Sequence, residues 1–257
     1  MTKPAYVVFI SDCHLGSRKE PRFVLFESLL NRLKNEGKVT HLFLVGDIFD
    51  LWVGRHSYFV DKYSGLVKLV HQLVQMGVEV HYFEGNHDLY LQDFWGEELG
   101  VFIHEGPKQF EIENKIFQVE HGDQMDPSDK GYIFLRWFLR WFPIRTLIRH
   151  LPEWMVVQIG EKASESSREY TSTGSKSQSS QVTIQKFYSF VDDTAQNADW
   201  DFLIAGHIHH RLQYQIPDST KTAFNLGVWD DQPQILVWTP SKQPHFVDVT
   251  ELCRKGP

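Results

Sequence analysis

Apolar positions along the first hundred residues follow two periods in turn. Tyr6–Ile10 and Val39–Val45 are short runs rich in β-branched and aromatic residues, the pattern of a buried strand. Val78–Phe83 reads as a third strand. Between these runs, Phe23–Leu33 and Gly65–Met76 place apolar residues at helical spacing, and Gly77 supplies a stop signal. Strand–helix–strand–helix–strand predicts right-handed crossovers and a largely parallel sheet.

The pattern changes beyond residue 100. Val101–Ile103, Phe110–Ile112 and Lys115–Glu120 read as short strands around the turn Glu113-Asn114. Residues 131–160 are helical in composition and strongly aromatic, residues 163–181 are Ser/Thr-rich, and Gln181–Gln196 is helical again. Phe202–Ala205, Leu212–Ile216, Lys221–Asn225, Gln234–Trp238 and His245–Val249 are strand-like. The predicted architecture is α/β: two mixed β-sheets sandwiched between helical layers. It forms one domain over residues 1–257, with a helical and Ser-rich cap inserted at about 124–180.

Composition narrows the function classes. Hydrophobic residues at 42% and charged residues at 23% support a packed core and exclude global disorder. A net charge of −7 argues against a basic nucleic-acid binder. Cys13 and Cys253 are too few for a disulfide framework or a thiolate zinc site and fit a reducing compartment. No apolar run has the length of a signal peptide core or a membrane span, so the expected location is cytoplasmic.

Five segments carry the chemistry: Asp12-Cys13-His14, Gly46-Asp47-Ile48-Phe49-Asp50, Gly85-Asn86-His87-Asp88, His121-Gly122-Asp123 and Gly206-His207-Ile208-His209. Each follows an apolar strand-like run. Ligands of α/β sheets gather outside the carboxyl ends of strands, so five such tips predict one convergent site. Carboxylate, amide and imidazole donors without thiolate suit Mn²⁺, iron or Zn²⁺, and the share of oxygen favours Mn²⁺.

In this order the segments resemble the calcineurin-like metallophosphoesterases, over residues 6 to 230. The resemblance implies two divalent metal ions. Asp12, His14, Asp47 and His209 would hold one, and Asp47, Asn86, His121 and His207 the other, with Asp47 bridging. Such a pair attracts phosphate and activates water, which removes the need for a Ser, Cys or Lys nucleophile. His87 would donate to the phosphoryl group or the leaving oxygen, with Asp88 orienting its ring. Asp50 and Asp123 are read as orienting ligand histidines; local capping is the other reading of Asp50, Asp88 and Asp123.

The substrate clue is the insert. Residues 131–152 carry +4 within the chain's −7, from Arg136, Arg140, Arg145 and Arg149, among Phe134, Trp137, Phe138, Trp141 and Phe142. Helices with an aromatic side and an Arg side lie in membrane interfaces; a packed hairpin or a dimer interface fits the same pattern. This insert, the run Asp129-Lys130-Gly131-Tyr132, and Phe224-Asn225-Leu226-Gly227-Val228-Trp229 together resemble the UDP-2,3-diacylglucosamine hydrolases. Those enzymes cleave the pyrophosphate of a lipid A precursor to lipid X and UMP by attack of metal-activated water at the α-phosphorus.

The resemblance implies a cap holding two acyl chains, an anionic lipid-nucleotide substrate and peripheral attachment to the inner membrane of a Gram-negative bacterium. Arg168, Lys176, Arg136, Arg140, Trp137 and Trp141 are the expected substrate contacts. One position departs: many of those hydrolases carry Arg after the metal-ligating Asn, where this chain has His87. Two other readings stand beside this one. A phosphoesterase of the same fold would act on a soluble phosphodiester, nucleotide or phosphoprotein. A catalytically silent scaffold would bind partners through the Trp/Arg insert.

Overall fold

A computed structural model describes residues 3–160, 162, 176–230 and 232–254. The three strands expected near the N-terminus form as β1 (Val7–Ile10), β2 (His41–Leu44) and β4 (Glu79–Phe83). They pair in parallel, with Val8 opposite Leu42 and Leu42 opposite Val80. β6 (Phe102–His104) extends this sheet in parallel. β12 (Gln234–Thr239) and β13 (Lys242–Asp248) close its other side antiparallel, giving the order β13-β12-β1-β2-β4-β6. The second sheet has the order β10-β11-β9-β8-β7. It is built from β7 (Lys108–Ile112), β8 (Lys115–Val119), β9 (Phe202–Ala205), β10 (Leu212–Gln215) and β11 (Thr222–Asn225). A two-stranded ribbon, β3 (Trp52–Val53) with β5 (Asp88–Leu89), lies in the loops after β2 and β4.

Alternation along the strands builds the layers. Val7 and Phe9 of β1 point between the sheets, where Phe43, Phe83, Phe117, Ile204, Phe224 and Trp238 meet them. Val8 and Ile10 point the other way, onto α1 (Pro21–Glu36) and α3 (Ser64–Gln75) through Phe26, Leu30, Leu66 and Val70. A short α2 (Ser57–Lys62) leads into α3. α1 ends on Gly37 in the left-handed region (φ 58°), whose N–H donates to the Leu33 carbonyl.

α4 (Lys130–Arg140), α5 (Phe142–His150) and α6 (residues 153–160) form a separate helical segment. The outer face of the second sheet packs on α7 (Lys176–Asn197) through Phe187, Val191, Leu203, Ala205 and Ala223. α8 (Val249–Arg254) follows β13. The result is helix, sheet, sheet, helix, as the sequence pattern predicts. No described helix is long and apolar enough to cross a membrane.

Candidate active site

The parallel strands β1, β2 and β4 end on one edge, and their loops turn there together. Asp12 N–H donates to the Gly46 carbonyl at 3.1 Å and His14 N–H to the Asp47 carbonyl at 3.0 Å, so the first two ligand loops run side by side. His87 N–H donates to Asp47 Oδ1 at 2.9 Å, which brings in the third. From the second sheet, Gly206 N–H donates to the His121 carbonyl at 2.9 Å, and His207 N–H to Asp12 Oδ2 at 3.0 Å. The five segments therefore converge.

The backbone there is unusual. Asp12 (φ 49°), His14 (φ 44°), Asp47 (φ 52°), His207 (φ 70°) and His209 (φ 59°) all lie in the left-handed region, five of the nine non-glycine residues found there among those described. Each such residue costs on the order of 1–3 kcal/mol, and the surrounding hydrogen bonds hold it in place. Glycines clear the space: a side chain on Gly85 would strike the Asp47 carboxylate, and one on Gly46 the His121 ring.

The donor atoms face one another at the separations that ligands of a shared cation adopt. Three overlapping groups, Asp12/His14/His209, His14/Asp47/His87 and Asp12/Asp47/His121, each keep their donor atoms within 4.8 Å. His14 Nε2 lies 3.2 Å from His209 Nε2. Asn86 Oδ1 lies 3.2 Å from both His121 Nε2 and His207 Nδ1. Bond lengths of about 2.0–2.2 Å around one ion place its donors about 3 Å apart. His121 Nδ1–H donates to the Val45 carbonyl at 2.9 Å, so Nε2 is the nitrogen that would face an ion.

The electrostatics agree with a cation-binding role. Burial opposes ionisation of Asp47, yet His121, His87 and His14 hold its carboxyl well below the usual range. Burial likewise opposes Asp12, whose pKa His209 and His121 nevertheless lower. Burial would lower His121, but Asp47 and Asp12 carry it up to about 10. Burial pushes His14 and His207 down to about 4, so both are neutral at physiological pH, the form a metal ligand would need.

Residues 5–211 match the calcineurin-like phosphoesterase family. The chain belongs to that family. As a calcineurin-like phosphoesterase it is a metal-dependent hydrolase, and its donor set fits the divalent ions that the family uses. Similar proteins run nearly end to end with it. The UDP-2,3-diacylglucosamine hydrolase of Porphyromonas gingivalis is 28% identical over 248 residues, covering 90% of this chain and 93% of that protein. The enzymes of the same name from Photorhabdus laumondii and Vibrio cholerae are each 26% identical, covering 88% and 94% of this chain and 91% and 98% of theirs.

Several predicted neighbours take other roles. Asp88 is held by backbone and hydroxyl donors. Its carboxylate accepts the N–H groups of Ile48 (2.8 Å) and Phe49 (3.3 Å) and the Tyr82 hydroxyl (2.9 Å), bracing the loop after Asp47. His87 Nδ1–H donates instead to the Asp50 carbonyl at 2.9 Å. Asp123 accepts from the Tyr132 hydroxyl at 2.6 Å and Arg136 Nε at 2.8 Å, while Val45 orients His121.

The insert departs most from expectation. Its arginines are engaged by carboxylates instead of forming a free charged stripe. Arg136 is bound to Asp123 and Arg140 to Glu84, while Arg145 and Arg149 are bound to Asp93. The aromatic side faces solvent, with Trp137 58% and Trp141 49% exposed. Arg168 lies outside the described residues, and Lys176 is described only as the first residue of α7.

Sequence reasoning passed over Ser11, whose hydroxyl donates to Asp12 Oδ2 at 2.5 Å, and Asn225, whose side chain donates to the Gly206 carbonyl at 2.5 Å. It also passed over Glu84 and Asp93. A lone acid ending the apolar run of β4 was the available signal for Glu84.

Proposed function

We propose that this phosphoesterase hydrolyses the pyrophosphate of UDP-2,3-diacylglucosamine to UMP and 2,3-diacylglucosamine 1-phosphate. The supporting observation is end-to-end similarity: the relatives bearing that activity in their names align over about nine-tenths of the chain. Asp12, His14, Asp47 and His209 would hold one divalent ion and Asp47, Asn86, His121 and His207 the other, with Mn²⁺ the favoured metal. When bound, the pair supplies an activated water and neutralises charge on the phosphoryl oxygens.

The chain's own residues do the rest. Asp12 and Asp47 set the charge of the cage, and the hydrogen bonds from the His87 and His207 amides fix their carboxylates. His87, tied at Nδ1 to the Asp50 carbonyl, would face the phosphoryl group or the leaving oxygen. Water adds to the α-phosphorus, the bond to the bridging oxygen breaks, and the departing phosphate stays on the glucosamine.

The exposed aromatic residues of α4–α6, Phe134, Trp137, Trp141 and Trp154 among them, would seat acyl chains and dip into the inner-membrane surface. Arg136 and Arg140 are engaged by carboxylates, so we assign the lipid contact to the aromatic side.

The test is hydrolysis of the lipid nucleotide by Mn²⁺-loaded protein in heavy-oxygen water. Labelled UMP and unlabelled lipid phosphate are expected. Turnover of simple phosphodiesters with no UMP released would replace this substrate by a soluble one, as His87 in place of Arg would favour. Hydrolysis of any substrate surviving in Asp47→Ala would remove the site from the chemistry.

A further inference from the structure

The segment that carries Asn86 and His87 is held at both ends by the insert. At its start, Glu84 is buried, its Oε1 accepting Leu91 N–H at 2.9 Å and its Oε2 meeting Arg140 at 3.1 Å. At its end, buried Asp93 is gripped by Arg149 through two nitrogens and by Arg145 at 3.4 Å. Between them the Tyr90 hydroxyl donates to the Leu139 carbonyl at 2.5 Å, and the Arg145 guanidinium lies 5.4 Å from the Tyr90 ring centre. Tyr90 itself holds a left-handed backbone (φ 58°), which needs such support.

Arg140 and Glu84 are 12% and 1% exposed in their side chains, so little water is present to replace either partner. A buried carboxylate that loses its arginine is left as an uncompensated charge, and the backbone around it must rearrange to reach solvent or a proton. The backbone around Glu84 is the ligand loop, since Asn86 is two residues on and His87 donates to Asp47. The insert is therefore wired to one side of the cage: Asn86 belongs to the donor set of His121 and His207, whereas Asp12, His14 and His209 sit on other loops.

We propose that Arg140, with Arg145 and Arg149, is a positioning residue for the metal cage. By neutralising Glu84 and Asp93, the insert clamps the Glu84–Asp93 segment and sets the ion site that uses Asn86. The insert is then a fixed part of the metal site, and removing a guanidinium loosens one ion in preference to the other. This rests on the two-ion reading of the site and not on the identity of the substrate.

Mn²⁺ titration of the ion-free full chain, followed by calorimetry and by the spin-resonance signal of free Mn²⁺, tests it. The wild type should take up two ions. Arg140→Gln should retain one with near wild-type affinity and bind the other roughly 10–100-fold more weakly, the range seen when a group orienting a metal ligand is lost. Arg140→Lys should recover part of the loss. The double variant Arg140→Gln/Glu84→Gln, whose amide still accepts from Leu91 without a stranded charge, should recover most of it. Equal weakening of both ions, or unchanged binding of both, overturns the proposal. If Arg140→Gln does not fold, Arg149→Gln, which strands Asp93 in the same way, carries the same titration with the same expected outcomes. Fewer than two ions in the wild type would instead sink the two-ion reading beneath it.

Discussion

A methyl group on Gly85 would strike the Asp47 carboxylate and lie 2.7 Å from the Asp47 nitrogen. Neither neighbour is the end of a flexible side chain, because Asp47 is fixed by the His87 amide and by its own left-handed backbone. Gly85→Ala should therefore displace the Asp47 carboxylate and lower the hydrolysis rate roughly 10–100-fold. Wild-type activity together with stoichiometric metal in this variant would contradict the geometry. At this scale the convergence of the five segments was legible, because Asp, Asn and His at strand tips have few structural reasons to cluster. The roles of Asp88 and Asp123 were not. A carboxylate reads the same in sequence whether it accepts from a ring or from a backbone amide, and partners such as Tyr82 and Arg136 lie elsewhere in the chain.

Among the elements, α4 and α5 show how far periodicity carries an argument. Spacing identified an aromatic side and an Arg side, and both exist. Which side faces the protein depended on acids 40 to 56 residues away in sequence, Glu84, Asp93 and Glu105, which no local pattern reveals. The ribbon of β3 and β5 escaped notice for a similar reason: each strand is two residues long and lies within a ligand loop.

The carboxylate-bound arginines change the mode expected of any membrane contact. Attachment through exposed indoles depends on apolar burial, whereas attachment through an Arg stripe weakens with salt as charges are screened. Sedimentation with vesicles should show binding to zwitterionic lipid that persists in high salt. Trp137→Ser/Trp141→Ser should weaken it about tenfold or more, each indole being worth roughly 1.5–3 kcal/mol when buried. Binding confined to anionic vesicles and abolished by salt would assign the contact to charge instead.

For the whole molecule, the two sheets and their helical covers follow from alternation along strands that are easily recognised, so the layer order was legible early. Acid stability was not. His81 and His104 carry no motif, yet they face each other at 3.1 Å among Phe43, Phe83, Phe102 and Phe110, at the edge of the first sheet. Burial pushes His81 down to about 3 and His104 down to about 4. Both are neutral in the folded chain, while in the unfolded chain they take up protons near pH 6.5. The unfolded state thus binds more protons below that pH, and stability falls as pH drops from about 6.5 towards 4. Thermal melts across this window should show Tm declining with acidification. His81→Phe should flatten the decline, with about 2–4 °C regained per kcal/mol. Parallel curves for the two proteins would place the acid sensitivity elsewhere.

The left-handed backbone at Asp12, His14, Asp47, His207 and His209 has an evolutionary corollary. Glycine at any of these places would relax the chain, and at Asp12 or Asp47 it would also remove a crowded buried anion. Selection for robustness alone would therefore erode the catalytic centre first. A descendant freed from turnover should drift towards a sturdier, inert scaffold, with these positions among the first to change.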